Sequence, residues 1–157
     1  MRLLLLRHAD AESSAPSDDL RPLSEKGRSQ AGRVGRFCAA RSICPELILV
    51  SPFLRADETA RIVAKELERE CVLAAFLASG MTPAAALEGL RAYLKFDCLM
   101  LVGHEPDFGQ LAATLLGLPD PGALHIRKAS LTCLDVDSLR PGGARLDFLV
   151  PAKLMNP

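Results

Sequence analysis

Apolar residues in this chain fall into short unbroken runs, separated by stretches whose apolar positions recur every three or four residues. Met1 to Leu6 is apolar except for Arg2 and predicts a strand covered on both faces. A polar loop follows from Asp10 to Pro22. Ser24 is a good helix N-cap with Glu25 in the first turn, and Ala31, Val34 and Cys38 mark one face of a helix running to about Ala40. Leu47 to Val50 is a second strand, closed by Ser51-Pro52. The next helix, from about Leu54 to Arg69, carries Ala60, Val63, Ala64 and Leu67 at helical spacing. Cys71 to Leu73 is a weak strand. Thr82-Pro83 opens a helix marked by Leu87, Leu90 and Leu94. Cys98 to Val102 is the strongest strand signal. Pro106 then opens a helix with Phe108, Leu111, Ala112 and Leu115, closed by Gly117. Two strands end the pattern, Leu131–Val136 and Arg145–Val150, with Pro141-Gly142-Gly143 turning between them.

Strand and helix alternate four times, which implies parallel pairing. The expected fold is α/β: a three-layer sandwich with a mostly parallel central sheet flanked by helices. The C-terminal hairpin adds an antiparallel edge. A length of 157 residues suits a single domain, 1–157, with a core of its own.

Composition narrows the function. Lysine plus arginine and aspartate plus glutamate each number 19, so net charge is zero and a general polyanion binder is not expected. Six Phe, one Tyr and no Trp leave few platforms for stacking bases, so nucleic acid is not an expected partner. The opening leucine run stops at Arg7, too short for a signal peptide, and no run is long enough for a membrane span. Five cysteines, odd in number and without CxxC spacing, read as reduced thiols in a cytoplasmic protein.

In an open α/β sheet the ligand lies beyond the carboxyl ends of the strands. There stand Arg7 and His8 after the first strand, Arg55 after the second, and His104 and Glu105 after the Cys98–Val102 strand. Two guanidiniums and two imidazoles suit a phosphoryl group. Arginine's planar fork matches phosphate oxygens, and the helix starts at Leu54 and Pro106 aim positive dipole ends at the same place. One imidazole, neutral at one nitrogen, can attack phosphorus; the other, protonated, can share the developing charge. No metal and no cofactor is needed. His125 has no placed partner and reads as structural.

These residues resemble a known family. Leu6-Arg7-His8-Ala9-Asp10-Ala11 is similar to the Arg-His signature of the histidine phosphatase superfamily, whose fold is phosphoglycerate mutase-like. Ser51-Pro52-Phe53-Leu54-Arg55-Ala56, followed by Glu58-Thr59-Ala60, resembles its second motif, and Val102-Gly103-His104-Glu105-Pro106 its second catalytic histidine. Asp18 to Gly27 looks like the loop and helix start of the small SixA-type phosphohistidine phosphatases. The resemblance spans Met1 to about Val150. It implies that His8 is the nucleophile that becomes phosphorylated, with Arg7, Arg55 and His104 around the phosphate. It departs from the family pattern at Ala9, where mutase-type members have Gly, and at Glu58, where many have Gln. Glu58 is expected to point away from the phosphate.

The proton donor stays open among Glu105, Asp18 and the glutamates Glu66, Glu68, Glu70 and Glu88. An alkoxide leaving group needs a strong general acid, whereas an imidazole leaves with far less help. A site without an obvious acid therefore suits phosphohistidine, and the short 56–103 segment leaves little for a lid. The expected substrate is a phosphohistidine-bearing protein, acted on by a monomer. The alternatives are a same-fold phosphatase for a small phosphate ester or anhydride, a metal-dependent hydrolase using His8, Asp10, Glu12 and His104, and a non-catalytic phosphate-binding module.

Overall fold

The computed structural model describes residues 1–156. Six strands form one sheet in the order β3-β2-β4-β1-β5-β6: β1 (Arg2–Arg7), β2 (Leu47–Val50), β3 (Cys71–Leu73), β4 (Cys98–Gly103), β5 (Leu131–Val136) and β6 (Ala144–Val150). The first four run parallel, and β5 and β6 add the antiparallel edge. The register sets Leu6 beside Val102 and Arg7 beside Gly103, while Val50 pairs with Val102 from the other side. The carboxyl ends of β1, β4 and β2 are thus three adjacent stops on one edge.

The unbroken leucine run works because β1 is covered on both faces. Side chains alternate along a strand, so Leu4 and Leu6 enter the core under α1 (Glu25–Ala40) and α2 (Leu54–Leu67). Leu3 and Leu5 enter the opposite core, under α3 (Pro83–Leu90) and α4 (Asp107–Leu116). All four leucines are fully buried, each contributing about 1.5–3 kcal/mol from removal of apolar surface from water. The three layers follow from that alternation.

The caps match the sequence signals. Ser24 accepts the Gly27 N–H at 3.0 Å, Thr82 accepts the Ala85 N–H at 3.2 Å, and Gly117 closes α4 in the left-handed conformation at φ 69°. Two helices end earlier than their apolar spacing suggests. α2 stops at Leu67 because Glu68 turns left-handed (φ 52°). α3 stops at Leu90 and tightens into a 3₁₀ turn, Arg91–Tyr93. That turn advances about 120° per residue rather than 100°. Leu94 is thereby carried off the buried stripe and is 57% exposed.

Gly27 fixes the approach of α1 to the chain leaving β1. A Cβ there would collide with the Asp10 carbonyl. That same carbonyl accepts the Ser24 N–H, and the Asp10 carboxylate accepts the Ser24 hydroxyl at 2.7 Å. The residues just beyond His8 are therefore pinned to the start of α1.

Candidate active site

The backbone at the three strand ends is held before any side chain acts. The His8 N–H bonds the Gly103 carbonyl at 2.9 Å, the Ser51 N–H bonds the Val102 carbonyl at 3.0 Å, and the Ala129 N–H reaches the Arg7 and His8 carbonyls. Thr59, buried on α2, accepts the Ala9 N–H at 3.1 Å and donates to the Arg55 carbonyl at 2.6 Å, tying the nucleophile loop to the second motif.

His8 Nδ1 lies 2.8 Å from the Ala9 carbonyl. A carbonyl only accepts, so Nδ1 carries the proton and Nε2 keeps its lone pair. Arg55 Nε donates to that Nε2 at 3.3 Å. The His104 ring lies 5.3 Å from the His8 ring, centroid to centroid, and edge-on to Phe53 at 5.0 Å. His104 Nε2 shares a 2.7 Å hydrogen bond with Ser51 Oγ, which also accepts the Phe53 N–H. Its Nδ1 is buried without a partner among the described residues.

Both histidines are neutral. Burial, reinforced by His104, Arg55 and Arg7, pushes His8 down to about 3 against the single opposing effect of the Ala9 carbonyl. Burial, then Arg55 and Arg7, takes His104 down to about 4, with Asp18 opposing. Two guanidiniums in a poorly solvated site already supply positive charge, and a third cation on His104 is disfavoured.

A family model described as the histidine phosphatase superfamily (branch 1) matches residues 3–78. Phosphohistidine phosphatase SixA of Escherichia coli (strain K12) is 30% identical over 121 residues, covering 73% of this chain and 74% of that protein. The chain belongs to the histidine phosphatase superfamily. Within it, a SixA homologue of Haemophilus influenzae is also 30% identical, over 132 residues, covering 77% of this chain and 80% of that one. The fold matches a solved SixA complexed with tungstate at a TM-score of 0.90 and 22% identity, over 99% of this chain and 100% of that chain.

Within this superfamily fold, Arg7, His8, Arg55 and His104 come together as the strand-end reading expects. Arg7 is held by the Ile126 carbonyl at 2.9 Å, close enough to act on both imidazoles. Among the acid candidates, Asp18 and Glu105 differ in their surroundings. Asp18 does not stand free: its carboxylate and its carbonyl accept from Arg55 Nη2 and Nη1 at 3.1 and 2.7 Å. Its carboxyl is held below the usual range, by the Arg21 hydrogen bond first and then Arg55. Asp18 anchors Arg55. Glu105 accepts the Gly109 N–H at 2.8 Å, and burial raises its carboxyl above the usual range against that bond and Arg7. Glu58 accepts the Leu23 N–H and pairs with Arg28, away from the histidines. The metal-ligand set is not gathered. Asp10 is committed to Ser24 and Lys128, Glu12 is exposed, and among the described residues no three His, Cys, Asp or Glu side chains converge to hold an ion.

Three roles were not legible beforehand. Thr59 and Ser51 carry no charge to attract notice, although both fall inside the second motif. The third is the cover: the short 56–103 segment forms no lid, but the turn Asp18–Leu20 sits on Arg55, and His8 is only 7% exposed. The site is deeper than the short segment suggested.

Proposed function

We propose that this protein is a phosphohistidine phosphatase that passes phosphate from a partner's histidine through His8. The observation that carries the reading is the His8 imidazole: neutral, its Nδ1–H fixed on the Ala9 carbonyl, its Nε2 lone pair facing the Arg55 guanidinium. In the first half-reaction Nε2 bonds to phosphorus as the substrate's P–N bond breaks; the electron pair of that bond stays on the departing imidazole, which leaves neutral with a proton taken from solvent. In the second, water attacks the phosphoryl group on His8 and releases inorganic phosphate, returning the electron pair to Nε2. Arg7 and Arg55 bind the phosphoryl oxygens, and His104 lends a ring N–H to them.

The substrate class follows from the acids. With Asp18 bound to Arg55 and Glu105 turned onto the Gly109 N–H, little acid help reaches a leaving group. An imidazole needs little. The likeness to SixA phosphohistidine phosphatases supports the same class. The charge is supplied by side chains, so turnover requires no divalent metal. No helix among the described residues is long and apolar enough to cross a membrane; the cytoplasmic compartment and the monomeric state are part of the proposal.

The test is capture of the intermediate. Mixing with a ³²P-phosphohistidine protein and quenching in alkali leaves acid-labile, alkali-stable label on the wild-type chain and none on His8→Ala. Label persisting on His8→Ala, or an acid-stable label, overturns the reading.

A further inference from the structure

Beside Arg7, a cleft of about 480 Å³ opens between the start of α1, the 125–128 loop and the 3₁₀ turn Ala152–Leu154. Its walls present Arg7, Lys26, Arg127, Lys128 and Lys153 against one carboxylate, Asp10. Asp10 is already used by Lys128 at 2.7 Å and by Ser24. Among the described residues, no acidic group pairs with Lys26, Arg127 or Lys153 in a chain whose net charge is zero. Three separate segments have thus delivered unpaired cations to one spot.

The cleft is tied to the reaction centre. Arg7 lines it, the Arg7 guanidinium donates to the Ile126 carbonyl, and the Ala129 N–H holds the Arg7 and His8 carbonyls. Its walls do not suit a small ligand, which favours an enclosed, largely apolar pocket. Here Lys26, Arg127, Lys153 and His125 are exposed, and Pro151 and Ala152 are the apolar contribution. Nor do they suit RNA, since the lining holds no Phe, Tyr or Trp for a base to stack on. What fits is a strip of carboxylates on a folded surface, which pairs with exposed cations and steers encounter.

The geometry points to this cleft as the docking surface for an acidic segment of the phosphohistidine-bearing protein, next to the histidine that enters the site; the inference rests on the phosphohistidine reading above. His125, silent in the sequence, stands at this surface.

The test compares wild type with Arg127→Glu/Lys153→Glu, and with Lys26→Glu on a separate element. Three substrates are used: an aryl phosphate, free phosphohistidine, and a histidine-phosphorylated phosphotransfer protein with an acidic face. Expected are unchanged kcat/KM on the two small substrates and a loss of about tenfold or more on the protein, carried by KM and shrinking as salt rises. A loss equal on all three, or none on the protein, overturns the docking surface. A wild-type enzyme that hydrolyses aryl phosphate but neither phosphohistidine substrate overturns the proposed function instead. The cleft then still answers to fluorescence anisotropy with labelled decaglutamate and a labelled RNA decamer. Decaglutamate binding that both variants weaken supports it. No decaglutamate binding, binding the variants leave unchanged, or preference for the RNA refutes it.

Discussion

Lowering pH should loosen this protein through its two neutral histidines, and the size of the effect follows from their burial. His8 is depressed to about 3 and His104 to about 4 in the folded chain, against an ordinary value near 6.5 when unfolded. Between those values the unfolded chain binds protons that the folded chain refuses, so stability is full above about pH 6.5 and is lost as pH falls. Integrated from pH 7 to pH 5, each histidine contributes a loss of about 2 kcal/mol. Glu105 and Asp107, whose carboxyls burial raises, act in the opposite sense over the lower part of this range. A His8→Gln variant isolates the histidine, because that offset is common to both proteins and His8 is not among the causes of the His104 depression. Urea unfolding at pH 7, 6 and 5, in phosphate-free buffer because bound anion would itself stabilise the fold, should show His8→Gln losing about 2 kcal/mol less than wild type. Equal losses in the two proteins would mean that His8 titrates normally in the fold and that its nucleophilic state is not set by burial. The His8 ring resonances should show no inflection between pH 5 and 8.

Three further outcomes are expected. Excess chelator should leave hydrolysis of an aryl phosphate unchanged; inhibition reversed by added metal would return the metal-ligand reading. Phosphohistidine protein and aryl phosphate should exceed an alkyl phosphate in kcat/KM by about 10²–10⁴-fold. Glu105→Gln should widen that gap, and Asp18→Asn should lower all three rates together because it loosens Arg55; near-equal wild-type rates would reveal a competent acid. Leu5→Ala, which empties a fully buried position on β1, should lower unfolding free energy by about 2–5 kcal/mol in denaturant melts.

The parts of this molecule legible in its sequence are those set by local patterning. A short leucine run with no alternation, stopped by Arg7, reads as a strand covered on both faces, and the repeated strand–helix alternation over β1 to β4 reads as parallel pairing. The edge bearing Arg7, His8, Arg55 and His104 follows from those two facts. The hidden parts arise where distant segments meet. Nothing at Asp18 announces that its carboxylate and carbonyl will both turn onto Arg55, 37 positions later. Lys26, Arg127 and Lys153 are ordinary surface cations until α1, a loop and a C-terminal turn bring them together, though the adjacent pair Arg127-Lys128 was a usable hint. The depression of the His104 imidazole is equally hidden, because burial, a tertiary quantity, is its largest cause.

The backbone that carries His8 extends the central strand β1 one residue past its end, its N–H bonded to Gly103 and its carbonyl approached by Ala129. Amides bonded onto central strands open rarely, while loops and surface turns open far more often. Deuterium should therefore enter the Asp18–Leu20 turn and the 125–128 loop long before it reaches residue 8. Such a division of timescales lets the chain adjust to differently shaped partners at its rim while the attacking nitrogen keeps one position from one turnover to the next.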